Sequence, residues 1–277
     1  MEKTKIQWTD YTWNIARGCS KVDSDCKYCY MYRQSEGFFS FDAKNVNRTK
    51  TVFKLPLRIK EPSKIFACSL TDFFHEAIDS YRNEAWDIIR RCPQHTFQIL
   101  TKRPERVVDH LPADWGDGWD NVWIGTSIGH QQAADIRLPE LLKIPTKTRC
   151  LSIEPLHGAI TFFSEALEGI TWEKDSKGGR KILMKMDWVI IGGESGNETG
   201  KYRYRPCEIK WFENLIQESR QMNAAVFVKQ LGTFLSKQRG MSDRHGGIID
   251  EFPLNLQVRE FPGEQKTVRM TRNKSAA

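Results

Sequence analysis

Three cysteines lie close together near the N-terminus: Cys19, Cys26 and Cys29, spaced C-x6-C-x2-C with no histidine or fourth cysteine inside the loop. Three thiolates can hold three corners of a 4Fe–4S cubane and leave the fourth iron open to a small molecule. A structural zinc normally closes its shell with four protein ligands. The competing reading is therefore a zinc knuckle completed from elsewhere, for instance by Cys68. A strand–helix repeat follows the loop. Together they point to S-adenosylmethionine (SAM) bound at the open iron and cleaved by one-electron reduction. On that reading Cys19, Cys26 and Cys29 are the metal ligands and the catalytic centre.

Further residues with chemical potential stand where apolar runs end. Asp72 offers a carboxylate for the methionine ammonium, a charge-assisted contact; its structural alternative is a helix N-cap. His75 and Glu76 follow it, His75 as a proton donor or equally as a capping residue. Lys102 and Arg103 offer cations for the SAM carboxylate or a substrate phosphate. Lys102 is the preferred one, because Arg103 precedes Pro104 and is expected to point away. Thr126 and Ser127 offer hydroxyls for a ribose. Glu154 needs a partner, since an unpaired buried charge is costly; the ammonium, the ribose or Lys229 would serve. In Gly192-Gly193-Glu194-Ser195-Gly196 the paired glycines allow close backbone approach to a ligand, with Glu194 and Ser195 at the rim; the bland alternative is a tight turn. Lys229 emerges from the apolar run Phe227-Val228 and calls for an anion or a glutamate.

The elements that must position these groups are short apolar strands alternating with helices. Strands are predicted at 12–16, 64–70, 96–100, 121–127, 149–154, 187–192 and 224–229. Several are continuous apolar runs, as parallel strands covered on both faces should be. Helices are predicted at 79–91, 131–142 and 208–222; in the last, Ile209, Phe212, Leu215, Ile216 and Ser219 make one buried face. The alternation implies a parallel sheet with right-handed crossovers. The expected fold is a single α/β domain over 1–277, a full or partial TIM-like (βα) barrel. An open doubly wound sheet is the alternative. Residues 171–186 read as an inserted loop or hairpin, and the basic tail from about 265 as a frayed end. In such a barrel the chemistry gathers at the carboxyl ends of the strands, and the polar ends of six strands, with the cysteine loop, would face one crater.

Charge and composition set limits. The chain has 277 residues with a net charge of +7 and a pI near 9.0. A basic surplus attracts phosphate on a nucleic acid or a nucleotide. Arg203 and Arg205, interleaved with tyrosines, are candidate phosphate contacts. No apolar run approaches the roughly 20 residues that span a bilayer, and Met1–Lys5 lacks the apolar core of a signal peptide. Seven cysteines, three of them clustered, fit a reducing cytoplasm and a metal better than a disulfide framework. Cys92, Cys150 and Cys207 read as structural.

A more specific resemblance lies in the order of Trp13-Asn14, Ser69-Leu70-Thr71-Asp72-Phe73-Phe74-His75-Glu76, Thr96-Phe97-Gln98-Ile99-Leu100-Thr101-Lys102-Arg103-Pro104, Leu151-Ser152-Ile153-Glu154-Pro155-Leu156, Gly192-Gly193-Glu194-Ser195-Gly196 and Lys229-Gln230. From about residue 6 to about 235 the chain resembles the phage-associated three-Cys-motif family of radical-SAM-like proteins. The resemblance implies a barrel of the radical SAM type, a 4Fe–4S cluster and SAM as cofactors, and the host cytoplasm as location. It also implies an electron donor such as flavodoxin or ferredoxin. In relatives an aromatic at the place of Tyr28 packs near the adenine. The usual superfamily motif is C-x3-C-x2-C, so this loop carries three extra residues. The superfamily's Gly-Gly-Glu element follows the second strand and holds the methionine amine; here Gly192-Gly193-Glu194 follows a late strand, and the second strand offers Ser69, Thr71 and Asp72 instead. The expected activity is a 5′-deoxyadenosyl radical that abstracts hydrogen from a substrate, with a nucleobase or nucleic acid, as in modification or repair of phage DNA or RNA, the favoured class. The alternatives are a non-catalytic zinc- or cluster-containing nucleic-acid-binding module and a scaffold that serves a partner protein.

Overall fold

The computed structural model describes residues 2–37 and 41–264, so the tail expected to fray lies outside the described residues. The strands are β1 (Tyr11–Trp13), β2 (Ala16–Arg17), β3 (Asn47–Arg48), β4 (Lys64–Ala67), β5 (Thr96–Thr101), β6 (Val122–Ser127), β7 (Thr148–Leu156), β8 (Trp172–Lys174), β9 (Arg180–Ile182), β10 (Trp188–Gly193) and β11 (Ala225–Gln230). The helices are α1 (Tyr30–Gly37), α2 (Asp79–Arg90), α3 (Gln131–Lys143), α4 (Ile209–Gln221) and α5 (Gly232–Gln238).

Seven strands form one sheet in the order β1-β4-β5-β6-β7-β10-β11, and every neighbouring pair is parallel. The spatial order follows the chain without reversal. A doubly wound sheet must reverse once and leaves a switch point there; this one does not. It is a curled half-barrel, a partial parallel α/β barrel. All seven predicted strands lie in it. The first is shorter than expected: β1 stops at Trp13, and Ala16–Arg17 turns away to pair antiparallel with β3. The 171–186 insertion is a hairpin of β8 and β9.

Side chains alternate across each strand, and two apolar layers result. The outward layer packs Ile65, Ile99, Ile124, Val189 and Val228 against helical residues such as Ile89, Leu138 and Phe212. The inward layer holds Trp8, Phe66, Cys150, Trp188, Ile190 and Phe227. Segments near both ends of the described residues enter that inner layer. The Trp8 ring lies 4.8 Å from Phe66 and 5.9 Å from Trp188. Phe261 lies 5.4 Å from Trp188 and 5.5 Å from Phe227. The free edge of β11 is covered as well: Val228 N–H donates to Val258 O at 2.8 Å and Glu260 N–H to Val226 O at 2.8 Å. An open parallel edge exposes unpaired backbone groups, and the C-terminal segment satisfies some of them.

Continuing two residues along a strand keeps the side chain on the same face. Beyond the inward Leu100, Ser152, Ile190 and Phe227 stand Lys102, Glu154, Gly192 and Lys229. The floor of the half-barrel is thus apolar and its carboxyl rim polar. Among the described residues no helix is long and apolar enough to cross a membrane.

Candidate functional site

At the carboxyl rim lies a cleft of about 430 Å³. Cys19, Cys26, Tyr28, Cys29, Ser69, Thr71, Asp72, Lys102, Ser127, Glu154, Gly193, Glu194 and Lys229 all line it. Of the residues expected to bind cofactor, Gly192 and Thr126 stand back, Gly192 behind the Glu154 side chain. Its floor includes Phe66 and Leu100. Strand ends far apart in sequence therefore converge as the barrel reading requires.

The cysteine loop is held by backbone and side-chain bonds. Gly18 N–H donates to Leu70 O at 3.1 Å and Cys19 N–H to Ala43 O at 2.9 Å. Asp23 caps the short helical turn Ser24–Cys26 by accepting from Asp25 N–H at 2.8 Å. The Tyr32 hydroxyl donates to Cys19 O and the Tyr30 hydroxyl to Ser69 O. Asn14 pins the facing turn, accepting from Leu70 N–H at 2.7 Å and donating to Ser69 Oγ at 3.0 Å. Ser69 is thereby spent on Asn14 and Tyr30.

Cys19, Cys26 and Cys29 are partly exposed to the cleft, whereas Cys68 is buried. Burial pushes the Cys19 thiol up to about 12; the Asp72 carboxylate adds to this and Arg103 opposes it. Burial raises Cys29 as well. A metal taken up here must displace those protons. Among the described residues the three sulfurs are not all within 4.8 Å of one another. Three thiols from one loop, with the cations Lys102 and Arg103 beside them, give the cleft a donor set for a metal–thiolate group.

The structure gives Asp72 a different task from the one expected. Its carboxylate is 6 % exposed as a residue and fully engaged: Oδ1 accepts from Thr101 Oγ1 at 2.6 Å and Phe74 N at 2.9 Å, Oδ2 from Lys102 N at 2.9 Å and Arg103 Nη1 at 3.3 Å. A carboxylate offers about four acceptor sites, and all four are taken, so Asp72 ties the end of β4 to the end of β5 and has none left for an ammonium. Arg103 does not point away. It is buried, and its Nη2 donates to Ser20 O at 3.1 Å and Ser20 Oγ at 2.7 Å, while Nη1 lies 3.9 Å from Cys19 Sγ. Pro104 restricts the Arg103 backbone but not its side-chain torsions, which are free to turn inward. His75 Nδ1 accepts from Ala77 N–H at 3.1 Å, and its Nε2 takes Ser20 N–H at 3.3 Å and lies 3.0 Å from Ser20 Oγ, so the ring braces the cysteine loop. Burial, followed by Arg103, lowers its pKa and favours the neutral form.

Glu194 is likewise spent within the chain. Arg205 donates to it from Nη2 at 2.7 Å, from Nε at 2.8 Å and from its backbone N at 2.8 Å. Arg205 Nη1 then reaches Ser24 O at 2.8 Å, and the guanidinium lies 5.6 Å from the Tyr28 ring. The loop after β10 is thereby strapped to the cysteine loop. Arg205 is a clamp and not a free phosphate contact; Arg203 stays exposed, donating to Glu198 O. The glycines serve packing. A Cβ on Gly193 would lie 2.7 Å from Leu231 C and 3.0 Å from Gly232 Cα, and one on Gly192 3.2 Å from Glu154 Cδ. They let β10 meet the β11–α5 turn and the Glu154 side chain, which accepts from Lys229 Nζ at 2.6 Å.

The groups left over are few. The Lys102 ammonium has no hydrogen-bond or ion-pair partner among the described residues. The Thr71 hydroxyl is buried without a hydrogen-bond partner. Thr126 is used by Thr101 O at 2.8 Å and is fully buried, so only Ser127 of that pair reaches the cleft.

One network was not expected from the sequence. Asp25, buried beside Cys26, accepts from His157 Nε2 at 2.7 Å and from Arg137 Nη1 at 3.1 Å. Burial alone would raise its pKa; the hydrogen bond from His157, with Lys102 and Arg137, outweighs this and holds it below the usual range. Asp25, His130 and His157 have ligand atoms within 4.8 Å of one another. His130 Nδ1 accepts from Ala133 N–H at 3.0 Å, so its neutral ring carries the proton on Nε2 and has no lone pair left for a metal. The group is a brace behind the cysteine loop. The readable signal was Arg137, a cation on the apolar face made by Ala133, Ala134, Leu138 and Leu141.

No curated protein and no solved structure matches the chain. A family profile described as "Protein of unknown function (DUF5131)" matches residues 3–274, nearly the whole barrel with every group described above, and the chain belongs to that family.

Proposed function

We propose that this protein is a radical SAM enzyme acting on a nucleobase or nucleic acid. The observation that carries the reading is the placement of Cys19, Cys26 and Cys29 on one wall of the cleft at the carboxyl rim of a partial parallel barrel. These three residues would hold a 4Fe–4S cluster. Bound there, it would supply the electron that cleaves SAM to methionine and a 5′-deoxyadenosyl radical, with flavodoxin or ferredoxin as the source. The chain's own residues bind and orient. The unpartnered Lys102 ammonium suits the SAM carboxylate. Ser127, Thr71 and the unpaired Glu154 Oε2 offer partners for ribose hydroxyls and the ammonium. Tyr28 offers a ring face to the adenine. The apolar floor excludes water from a reactive carbon.

A nucleic-acid substrate is supported by the net charge of +7. A reducing, cytoplasmic setting is supported by the odd count of seven cysteines, three of them clustered in one loop. Protein purified anaerobically is expected to be brown, with about four irons per chain, and its reduced-state EPR spectrum is expected to change when SAM is added. Replacing Cys19, Cys26 and Cys29 by Ala should remove colour and iron together. A colourless wild type with stoichiometric zinc refutes the reading and favours a zinc-containing binding module.

A further inference from the structure

Arg103 and Asp72 form a buried ion pair, each side chain 8 % exposed, directly against one of the three thiols. The guanidinium is fixed by Asp72 Oδ2 at 3.3 Å, Ser20 O at 3.1 Å and Ser20 Oγ at 2.7 Å, and its Nη1 lies 3.9 Å from Cys19 Sγ. The carboxylate is fixed by Thr101, Phe74, Lys102 and Arg103. Neither group is free to swing toward a ligand. They are two opposite charges, themselves buried, held still beside one sulfur.

The geometry points to the Arg103–Asp72 pair as the device that sets the reduction potential of the iron–sulfur group held by Cys19, Cys26 and Cys29. This rests on the reading of the preceding section. Gaining one electron adds one negative charge to the site. A cation and an N–H donor at the ligand sulfur favour that state and raise the potential; a carboxylate beside the same sulfur opposes it. The nearby Glu76 carboxylate, 3.8 Å from Arg103 Nε, is exposed and screened. His75 is neutral. Arg103 and Asp72 are therefore positioning residues whose effects carry opposite signs.

The test compares wild type, Arg103→Met, Asp72→Asn and the double variant, each reconstituted anaerobically with iron and sulfide. Dithionite supplies the electron, and EPR gives the midpoint potential; iron content and far-UV circular dichroism report loading and folding. At the wild-type midpoint, Arg103→Met is expected to lower the reduced-to-oxidised ratio at least tenfold, a shift of 59 mV for one electron. Asp72→Asn is expected to raise it by a similar factor. The double variant should return to within about threefold of wild type. A merely structural role cannot give opposite signs that cancel. Should Arg103→Met fail to take up iron, Arg103→Lys, which keeps the charge, is expected near wild type while Asp72→Asn still rises; no rise in Asp72→Asn overturns the inference. Single variants that shift the same way, or not at all, also overturn it while leaving the cluster in place. A wild type that takes up no iron overturns this inference and the proposed function together.

Discussion

Arg205→Met is the most informative single perturbation of the strap over the cysteine loop. Glu194 is 5 % exposed, and three donors from Arg205 occupy its two oxygens. Methionine keeps most of the side-chain volume and one of those donors, the backbone N–H. It removes the charge and the fork. Breaking a buried ion pair from one side leaves an uncompensated buried carboxylate, which costs about 3–5 kcal/mol. Arg205 is itself 18 % exposed at its side chain, and water can reach the vacated place, so the lower end, about 3 kcal/mol, is expected. At roughly 2–4 °C per kcal/mol for a chain of this size, Tm should fall by about 6–12 °C. The exposed Arg203→Met should change stability by no more than about 0.5 kcal/mol. Adding Glu194→Gln to Arg205→Met removes the orphaned charge and should recover most of the loss. Urea unfolding followed by circular dichroism measures all four. If Arg205→Met and Arg203→Met are equally mild, the strap is not a buried pair and the description of Glu194 is wrong.

Two further perturbations test parts of the fold that carry the site. Gly193→Ala places a Cβ against the Leu231–Gly232 backbone, which cannot yield as a side-chain end can, and should cost about 1–3 kcal/mol; Gly192→Ala meets only the Glu154 side chain and should cost less than about 1 kcal/mol, so a reversed order in thermal unfolding refutes the close approach of β10 and α5. Glu218 on α4, which accepts from Thr161 Oγ1 at 2.6 Å and Phe162 N at 2.7 Å, has its pKa raised by burial. A carboxyl with a raised folded-state pKa contributes stability that is fully present below its unfolded value and is lost as pH rises through the folded value. Relative to Glu218→Gln, wild type should therefore gain stability as pH falls from about 7 to about 4; a gap in unfolding midpoints that stays constant with pH contradicts the assignment.

The parts of this architecture legible in the sequence share one property: a local pattern encodes them. Trp188-Val189-Ile190-Ile191 is apolar on both faces because one face meets helices and the other the inner layer. The polar residues just beyond such runs reach the cleft because strand direction is fixed by parallel pairing. What local pattern does not encode is which opposite charge satisfies which. Asp72 and Glu194 looked like ligand carboxylates because each stands at a strand end, yet Arg103 and Arg205 already hold them. Helices α1 and α5 escaped notice for a related reason. Of the eight residues of α1 only Met31 and Ser35 are buried, and α5 is seven residues long, so neither presents a sustained apolar face. Trp8 and Phe261 sit in segments without period, and only the folded chain shows that they fill the half-barrel.

The pairing of the rim carboxylates changes what the cleft can bind. Asp72 is held by Arg103, Glu194 by Arg205 and Glu154 by Lys229. Each pair is close to neutral, and among the described residues Lys102 at the strand ends, like Arg33 on α1, has no ion partner. An anionic group is therefore the natural guest at Lys102. The one carboxylate oxygen of these pairs left without a partner, Glu154 Oε2, is the natural host for a cation. A ligand with a carboxylate and an ammonium on one carbon carries both, and so does the methionine end of SAM. A phosphate alone satisfies Lys102 but leaves Glu154 unanswered. On the proposed reading the cleft therefore suits a zwitterion, and the exposed Arg203 stands apart from these paired groups.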